Sequence, residues 1–136
     1  MPLNDQAIID EFRQNDGKVR GWSSNAPILL LHTTGARTGA ERVSPLVTMP
    51  LERGWAVFAS KGGADENPAW FHNILAHPEV TIEIGTDEVP VRAREAKGDE
   101  YDRIWSRQKS MMPNFAEYER RTKRERIPVI VLEPAT

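Results

Sequence analysis

Apolar and polar positions along this chain change their period several times, and each change predicts an element. In residues 3–14, LNDQAIIDEFRQ, the positions Leu3, Ala7, Ile8 and Phe12 fall near one face of a helix. Asn4 or Asp5 is placed to cap its start, and Gly17 lies just past its end. Residues 16–26, DGKVRGWSSNA, read as a covering loop that carries Trp22. Ile28 to Thr34 predicts a buried strand and Val43 to Met49 a second, in which Pro45 points to an edge or a bulge. Gly54 to Ser60 predicts a third. Asn67-Pro68 is a helix start, with Asn as N-cap and Pro at the first helical position, leading into AWFHNILA and stopping before Pro78. Glu79 to Ile84 and Val89 to Glu95 predict a hairpin around Gly85-Thr86-Asp87. Asp99 is placed to cap the helix DEYDRIWSRQKSMM, and Pro113 interrupts it and starts the shorter NFAEYERR. Ile127 to Leu132 is the last strand, and Pro128 again suits an edge.

Strands and helices do not alternate strictly, which argues against a parallel doubly wound sheet. Six short strands at hairpin distances predict an α+β protein: a small, mostly antiparallel six-stranded barrel with helices outside. Residues 1–136 read as one domain, with 1–26 forming the N-terminal helix and its covering loop.

Composition narrows the function. Lys plus Arg is 18 against 20 for Asp plus Glu, a formal charge of −2, so the basic excess of a general nucleic-acid or membrane-surface binder is missing. The absence of cysteine excludes disulfides, cysteine-ligated zinc, iron–sulfur clusters and thiol catalysis. No apolar run approaches the length needed to span a bilayer, and the first residues lack the pattern of a signal peptide. The expectation is a cytoplasmic protein.

Two stretches carry candidate chemistry. Gly35-Ala36-Arg37-Thr38-Gly39-Ala40-Glu41-Arg42 is a glycine-bounded turn. Such a turn can aim backbone N–H groups into one concavity, and Arg37, Arg42 and the Thr38 hydroxyl add donors of the kind that phosphate attracts. It is not a Walker loop, because no Lys-Ser or Lys-Thr follows Gly39 and a strand comes next. The alternative is a tight hairpin with solvated arginines. The second stretch runs from Ala59-Ser60-Lys61-Gly62-Gly63 to Asn67-Pro68-Ala69-Trp70. Adjacent glycines let backbone approach a planar ligand, Ser60 and Lys61 offer donors, and a helix start offers free N–H groups to negative charge. The alternative is a well-capped strand-to-helix connection.

Other features weigh toward structure. His32 lies in an apolar strand, His77 sits just before a proline turn, and no carboxylate shares metal-ligand spacing with His72, so no metal site is expected. The basic run Arg120, Arg121, Lys123, Arg124, Arg126 reads as a solvated helix end, with attraction of an acidic ligand tail as its functional alternative. Trp105 reads as core, and Phe115 and Tyr118, spaced i, i+3, share a helix face.

Taken together and in this order, LLLHTTGARTGAERVSPLV, ASKGGADENPAWFHNILAHPEV, VRAREA and RIPVIVLEP resemble the deazaflavin-dependent nitroreductase family over nearly the whole chain, from about Ile8 to Pro134. The resemblance implies a split β-barrel, FMN-binding-like, that uses coenzyme F420, an 8-hydroxy-5-deazaflavin with a phosphate and an oligoglutamate tail. It implies that the first turn holds the phosphate through Arg37, Thr38, Gly39 and Arg42, with Ser44 and Pro45 following along the strand. It lays Ala59, Ser60, Lys61, Gly62 and Gly63 along the deazaflavin, with Asn67, Pro68, Trp70, Phe71 and Asn73 contributed by the helix start. Two positions depart from the family pattern. Ala36 stands where an arginine is common, and the family's YPxYxxY run reads Met112-Pro113-Asn114-Phe115-Ala116-Glu117-Tyr118, so only Tyr118 keeps a hydroxyl.

The expected activity is hydride transfer from reduced coenzyme F420 to an electron-poor small molecule: a quinone, an activated alkene or a nitroaromatic. Tyr118 and Ser60 are the candidate proton donors; Trp22, Phe115 and Tyr118 are the candidate substrate wall. An FMN-binding split-barrel reductase and a non-enzymatic coenzyme-binding module are the alternatives. The expected partner is the small-molecule acceptor rather than nucleic acid or a bilayer, with a homodimer and peripheral membrane contact as further options.

Overall fold

The computed structural model describes residues 5–19 and 27–135. Helix α1 (Asp5–Gln14) precedes β1 (Ile28–Thr34), β2 (Glu41–Leu51) and β3 (Gly54–Phe58). A short 3-10 turn at Lys61–Gly63 leads to α2 (Ala69–Ala76), followed by β4 (Glu79–Ile84) and β5 (Asp87–Glu95). Helices α3 (Gly98–Met111) and α4 (Asn114–Arg121) come before β6 (Val129–Pro134). The strands close into a barrel in the order β1-β2-β3-β6-β5-β4, and each neighbouring pair is antiparallel.

The alternation of each strand sorts its side chains onto two faces. Leu29 and Leu31 of β1 join Val57, Ile82, Val91, Ala93, Ile130 and Leu132 inside the barrel, where Trp70, Phe71 and Ile74 of α2 pack against them. The other face of β1, through Ile28 and Leu30, packs against Ile8, Ile9 and Phe12 of α1. The outer faces of β3 and β6 carry α3 and α4. Tyr101, Ile104, Trp105 and Gln108 form the buried i, i+3, i+4, i+7 stripe of α3 against Met49, Phe58, Val129 and Val131.

Several local expectations shift. The barrel as a whole is closed, yet Pro45 sits on a locally one-sided stretch, as its lack of an N–H suggests. Pro45 faces Leu30 on a stretch of β2 that has β1 beside it but not β3, whose pairing runs only from Thr48 to Leu51. Asn67 does not cap α2. Pro68 occupies the cap position, and the Asn67 side chain accepts a hydrogen bond from Arg124 instead. Asp99 sits in the first turn of α3, with Lys97 at the cap. The hairpin turn shortens to Gly85-Thr86, since Ile84 pairs directly with Asp87. The final strand starts at Val129, two residues later than the apolar pattern suggests. No helix among the described residues is long and apolar enough to cross a membrane.

Candidate functional site

Two adjoining cavities lie where α2, β2 and the C-terminal part of the helical layer meet, and Asp5 and Trp70 belong to the walls of both. Strand β2 runs beneath the pair. Its residues Arg42, Val43 and Ser44 line the larger cavity, and Pro45, Leu46 and Val47 line the smaller.

The larger cavity, about 790 Å³, is bounded by the turn Gly35–Thr38, by Thr33, Arg42 and Ser44, and by Trp70, His72 and Asn73 of α2. The turn is closed by Gly39 N–H on Gly35 O at 2.9 Å and Gly35 N–H on Ala40 O at 2.8 Å. Gly39 has φ +70°, which a residue with a side chain adopts only at a cost. The turn is tied to the body of the protein by Asn73. Its Oδ1 accepts the Ala36 N–H at 3.0 Å and its Nδ2 donates to Thr33 Oγ1 at 3.2 Å, both from a buried position. Arg37 and Arg42 are exposed at the rim, and among the described residues neither guanidinium has an ion-pair or hydrogen-bonding partner. Two uncommitted cations, the Thr38 and Ser44 hydroxyls and a tethered glycine turn are a donor set for an anion.

The smaller cavity, about 420 Å³, is lined by more apolar side chains. Pro45, Leu46, Val47 and Phe58 form one side and Met112, Phe115 and Tyr118 another, with Ser60, Lys61 and Gly62 along the loop between β3 and α2. A Cβ built on Gly62 would meet nothing within 4 Å, so this stretch of backbone is open to close approach. Gly63 differs: a Cβ there would come within 3.1 Å of Tyr118 Cα, so the glycine lets the loop and α4 touch. Phe115 is buried against Phe58 and Trp105 while its ring lies 5.3 Å from that of Tyr118, so it belongs both to the core and to the cavity wall. Tyr118 accepts a hydrogen bond on its hydroxyl oxygen from Asn114 Nδ2 at 3.1 Å, which leaves its own O–H to donate elsewhere.

The structure therefore brings together Arg37, Thr38, Arg42, Ser44, Trp70 and Asn73 around one cavity. Pro45, Ser60, Lys61, Gly62, Pro68, Trp70, Phe115 and Tyr118 surround the other. Five predicted residues stand behind these walls. Gly39 shapes the turn, Phe71 faces the barrel core, and Gly63 packs on α4. Ala59 and Asn67 present oxygens to Arg124. Lys61 commits its ammonium to Glu66 at 2.9 Å, and this partner holds the Glu66 carboxyl below its ordinary range. Trp22 lies outside the described residues.

Sequence reasoning missed Asp5, Thr33, Asn114 and Arg124. Thr33 carried a readable signal, the inward-facing one of two hydroxyls ending an apolar strand, whereas Arg124 was hidden inside a basic run that looked solvated. His32 sits away from both cavities, its ring nitrogens 3.0 Å from Glu41 and 2.6 Å from Glu83. Arg13 at 2.7 Å draws the Glu83 carboxyl below the usual carboxylate range, a shift that burial opposes. Among the described residues no group of three or more His, Asp or Glu side chains is placed to hold a metal ion.

A closed six-stranded antiparallel barrel with four helices packed outside it defines the class of split barrels. The chain belongs to the F420H(2)-dependent quinone reductase family, whose model matches residues 6–134. It is 35% identical over 125 residues to an F420H(2)-dependent quinone reductase of Mycobacterium tuberculosis, covering 89% of this chain and 83% of that protein. Among solved structures, an F420-H2 dependent reductase superposes with a TM-score of 0.71 at 38% identity, over 79% of this chain and 94% of the other. A structure described as a domain-swapped dimer superposes with a TM-score of 0.72 at 34% identity, over 94% and 96% of the two chains. The chain is thus an oxidoreductase of the type that takes reducing equivalents from reduced coenzyme F420 and passes them to quinones.

Proposed function

We propose that the two cavities form one bipartite site within a single working domain, the larger taking the phosphate end of coenzyme F420 and the smaller taking its ring together with a flat acceptor. The observation that carries this reading is the pair of uncommitted guanidinium groups, Arg37 and Arg42, on a cavity that shares Trp70 with an apolar one. The donor set suits a phosphate, and the open backbone at Gly62 suits a planar ring. When bound, the reduced deazaflavin supplies a hydride; the protein supplies orientation and shelter from water. Arg37, Arg42, Thr38 and Ser44 hold the phosphate in this reading. Ser60 to Gly62 and Trp70 border the ring, and Phe115, Met112 and Pro45 wall the acceptor. Tyr118 is the first choice to deliver the proton that completes reduction to a quinol, because its oxygen already accepts from Asn114 and its hydrogen is free to turn into the cavity. Ser60, which lines the same cavity, is the second.

Activated alkenes and nitroaromatics fall within the same electronic class and are included as secondary acceptors. The domain-swapped neighbour supports a homodimer in solution. A cytoplasmic location, with peripheral membrane contact where the quinone is lipid-borne, completes the proposal. The direct test mixes the protein with reduced coenzyme F420 and a panel of quinones and follows the coenzyme's absorbance. Quinone-dependent oxidation that saturates in both substrates supports the reading, and its absence with every quinone of the panel overturns it.

A further inference from the structure

The loop from Ser60 to Asn67 has an unusual shape. Lys61, Gly62 and Gly63 take positive φ in succession, at +46°, +62° and +85°. Lys61 bears a Cβ and is strained there, so its conformation persists only if the surroundings impose it. Bonds within the loop are few: Gly63 N–H to Ser60 O at 2.9 Å, Ala64 N–H to Lys61 O at 3.1 Å and the exposed Lys61–Glu66 pair.

The restraint comes from the stretch that follows α4. Arg121 Nη1 donates to Gly62 O at 3.1 Å, Thr122 Oγ1 to Ala64 O at 2.6 Å, and the Lys123 N–H to Asp65 Oδ1 at 2.9 Å. Arg124 does the most. Its Nη1 donates to Ala59 O and to Asn67 Oδ1, both at 2.7 Å, and its Nη2 donates to Ser60 O at 2.8 Å. Its Nε is turned toward Thr122 Oγ1 at 2.9 Å, which fixes the plane of the fork. One guanidinium thus holds both ends of the loop, the β3 end at Ala59 and Ser60 and the α2 end at Asn67. No carboxylate among the described residues forms an ion pair with it, and the acceptors that meet its charge are all neutral oxygens. Burial accordingly pulls its pKa below the ordinary arginine value. The fork places its donors on separate nitrogens in one fixed plane, so it reaches oxygens at both loop ends; a lysine ammonium has three donors but all on one nitrogen, and matches that spacing poorly.

We propose that Arg124 is a positioning residue for the coenzyme site: it shapes the Ser60–Gly62 backbone that faces the smaller cavity, and so sets coenzyme affinity without lining that cavity. This rests on the bipartite site described under Proposed function. It predicts that the clamp acts on binding more than on global stability, since the strand ladders and the three apolar clusters do not pass through it.

The test compares wild type, Arg124→Lys, Arg124→Gln and Asn67→Ala by fluorescence titration with oxidised coenzyme F420, by thermal unfolding, and by amide hydrogen exchange. Titrations are run well below every Tm. Arg124→Gln is expected to raise the coenzyme Kd about tenfold or more, since it loses several charge-assisted bonds, and Arg124→Lys should recover part of that loss. Asn67→Ala, which removes one acceptor and keeps the arginine, should raise Kd by a smaller factor. Exchange should speed up at Gly63 and Ala64 in these variants and stay unchanged in the barrel strands. A merely structural role would lower Tm and leave Kd at wild-type values in the folded variants, and that result overturns the proposal. If Arg124→Gln does not fold, Arg124→Lys and Asn67→Ala decide, and wild-type Kd in both refutes it. If wild type itself fails to bind coenzyme F420, the bipartite reading falls first and takes this inference with it.

Discussion

Asn73 offers the sharpest separation between shaping the anion turn and contacting the anion. Its amide spans Ala36 N–H at 3.0 Å and Thr33 Oγ1 at 3.2 Å, and the side chain is 8% exposed. Asn73→Ala removes both bonds and leaves the Ala36 N–H without its partner. Two neutral bonds at roughly 0.5–1.5 kcal/mol each put the loss at ~1–3 kcal/mol. For a domain of this size that lowers Tm by several degrees, roughly 3–10 °C. The turn, released from α2, must then be reordered on binding, and about 1 kcal/mol of reordering raises the coenzyme Kd about fivefold. Asn73→Asp supplies the control. A carboxylate still accepts the Ala36 N–H, so Tm should lie nearer wild type, yet it places negative charge in the cavity of Arg37 and Arg42 and should weaken the coenzyme more than alanine does. The assays are thermal unfolding and coenzyme fluorescence titration on the three proteins. The reasoning is refuted if Asn73→Ala keeps both Tm and Kd, or if the aspartate variant binds as well as wild type.

Arg37→Ala and Arg42→Ala should each weaken coenzyme binding by about one to two powers of ten, the worth of a charge-assisted contact at ~1.5–3 kcal/mol. Both side chains are exposed, Arg37 on the turn and Arg42 at the start of β2, so Tm should not move; wild-type Kd in both variants would reduce the turn to a hairpin. Phe115→Tyr should raise the nitroaromatic-to-quinone ratio of kcat/KM, because a hydroxyl at the cavity wall rewards acceptors that need a donor. The Phe58 and Trp105 rings around Phe115 add a cost if that hydroxyl is forced inward, and an unchanged ratio would remove Phe115 from the acceptor wall. Glu83 is held below the usual carboxylate pKa by Arg13 and His32, so its contribution to stability is complete above that range and fades as pH falls through its lowered folded value. Glu83→Gln should therefore cost stability at neutral pH and flatten the acid limb of a Tm-against-pH profile; parallel wild-type and variant profiles would contradict this.

The strands were legible because their apolar runs are short, bounded by glycine and proline, and joined by tight turns such as Gly85-Thr86. Both loops of the site were legible for the same local reason. What local pattern cannot carry is which distant strands pair to close the predicted barrel. The pairing of β3 with β6 joins Val57 to Ile130, and that of β1 with β4 joins Leu31 to Ile82, and each is a contact between distant parts of the chain. Proline at position 45 argued for an edge, and the stretch of β2 that carries it is paired with β1 alone, even though the barrel closes further along the same strand. Arg124 illustrates the deepest gap. In sequence it is one of five basic residues near a helix end, and only the fold carries it beneath a loop some sixty positions earlier, Ser60 and Ala59 included. Asn73 was singled out as a contact to the coenzyme; the fold adds that its Oδ1 and Nδ2 each make one bond that holds the turn.

The central claim is that an anion turn and an apolar cavity act as one site for a deazaflavin that carries a phosphate and an acidic tail. Parallel titrations of the wild-type chain with oxidised coenzyme F420 and with FMN test it most directly. Both ligands present a phosphate and a tricyclic ring, so general affinity for flavin-like molecules cancels in the comparison. The account predicts that coenzyme F420 binds at least about tenfold more tightly, a difference of ~1.4 kcal/mol. Equal affinity, or tighter binding of FMN, would contradict it.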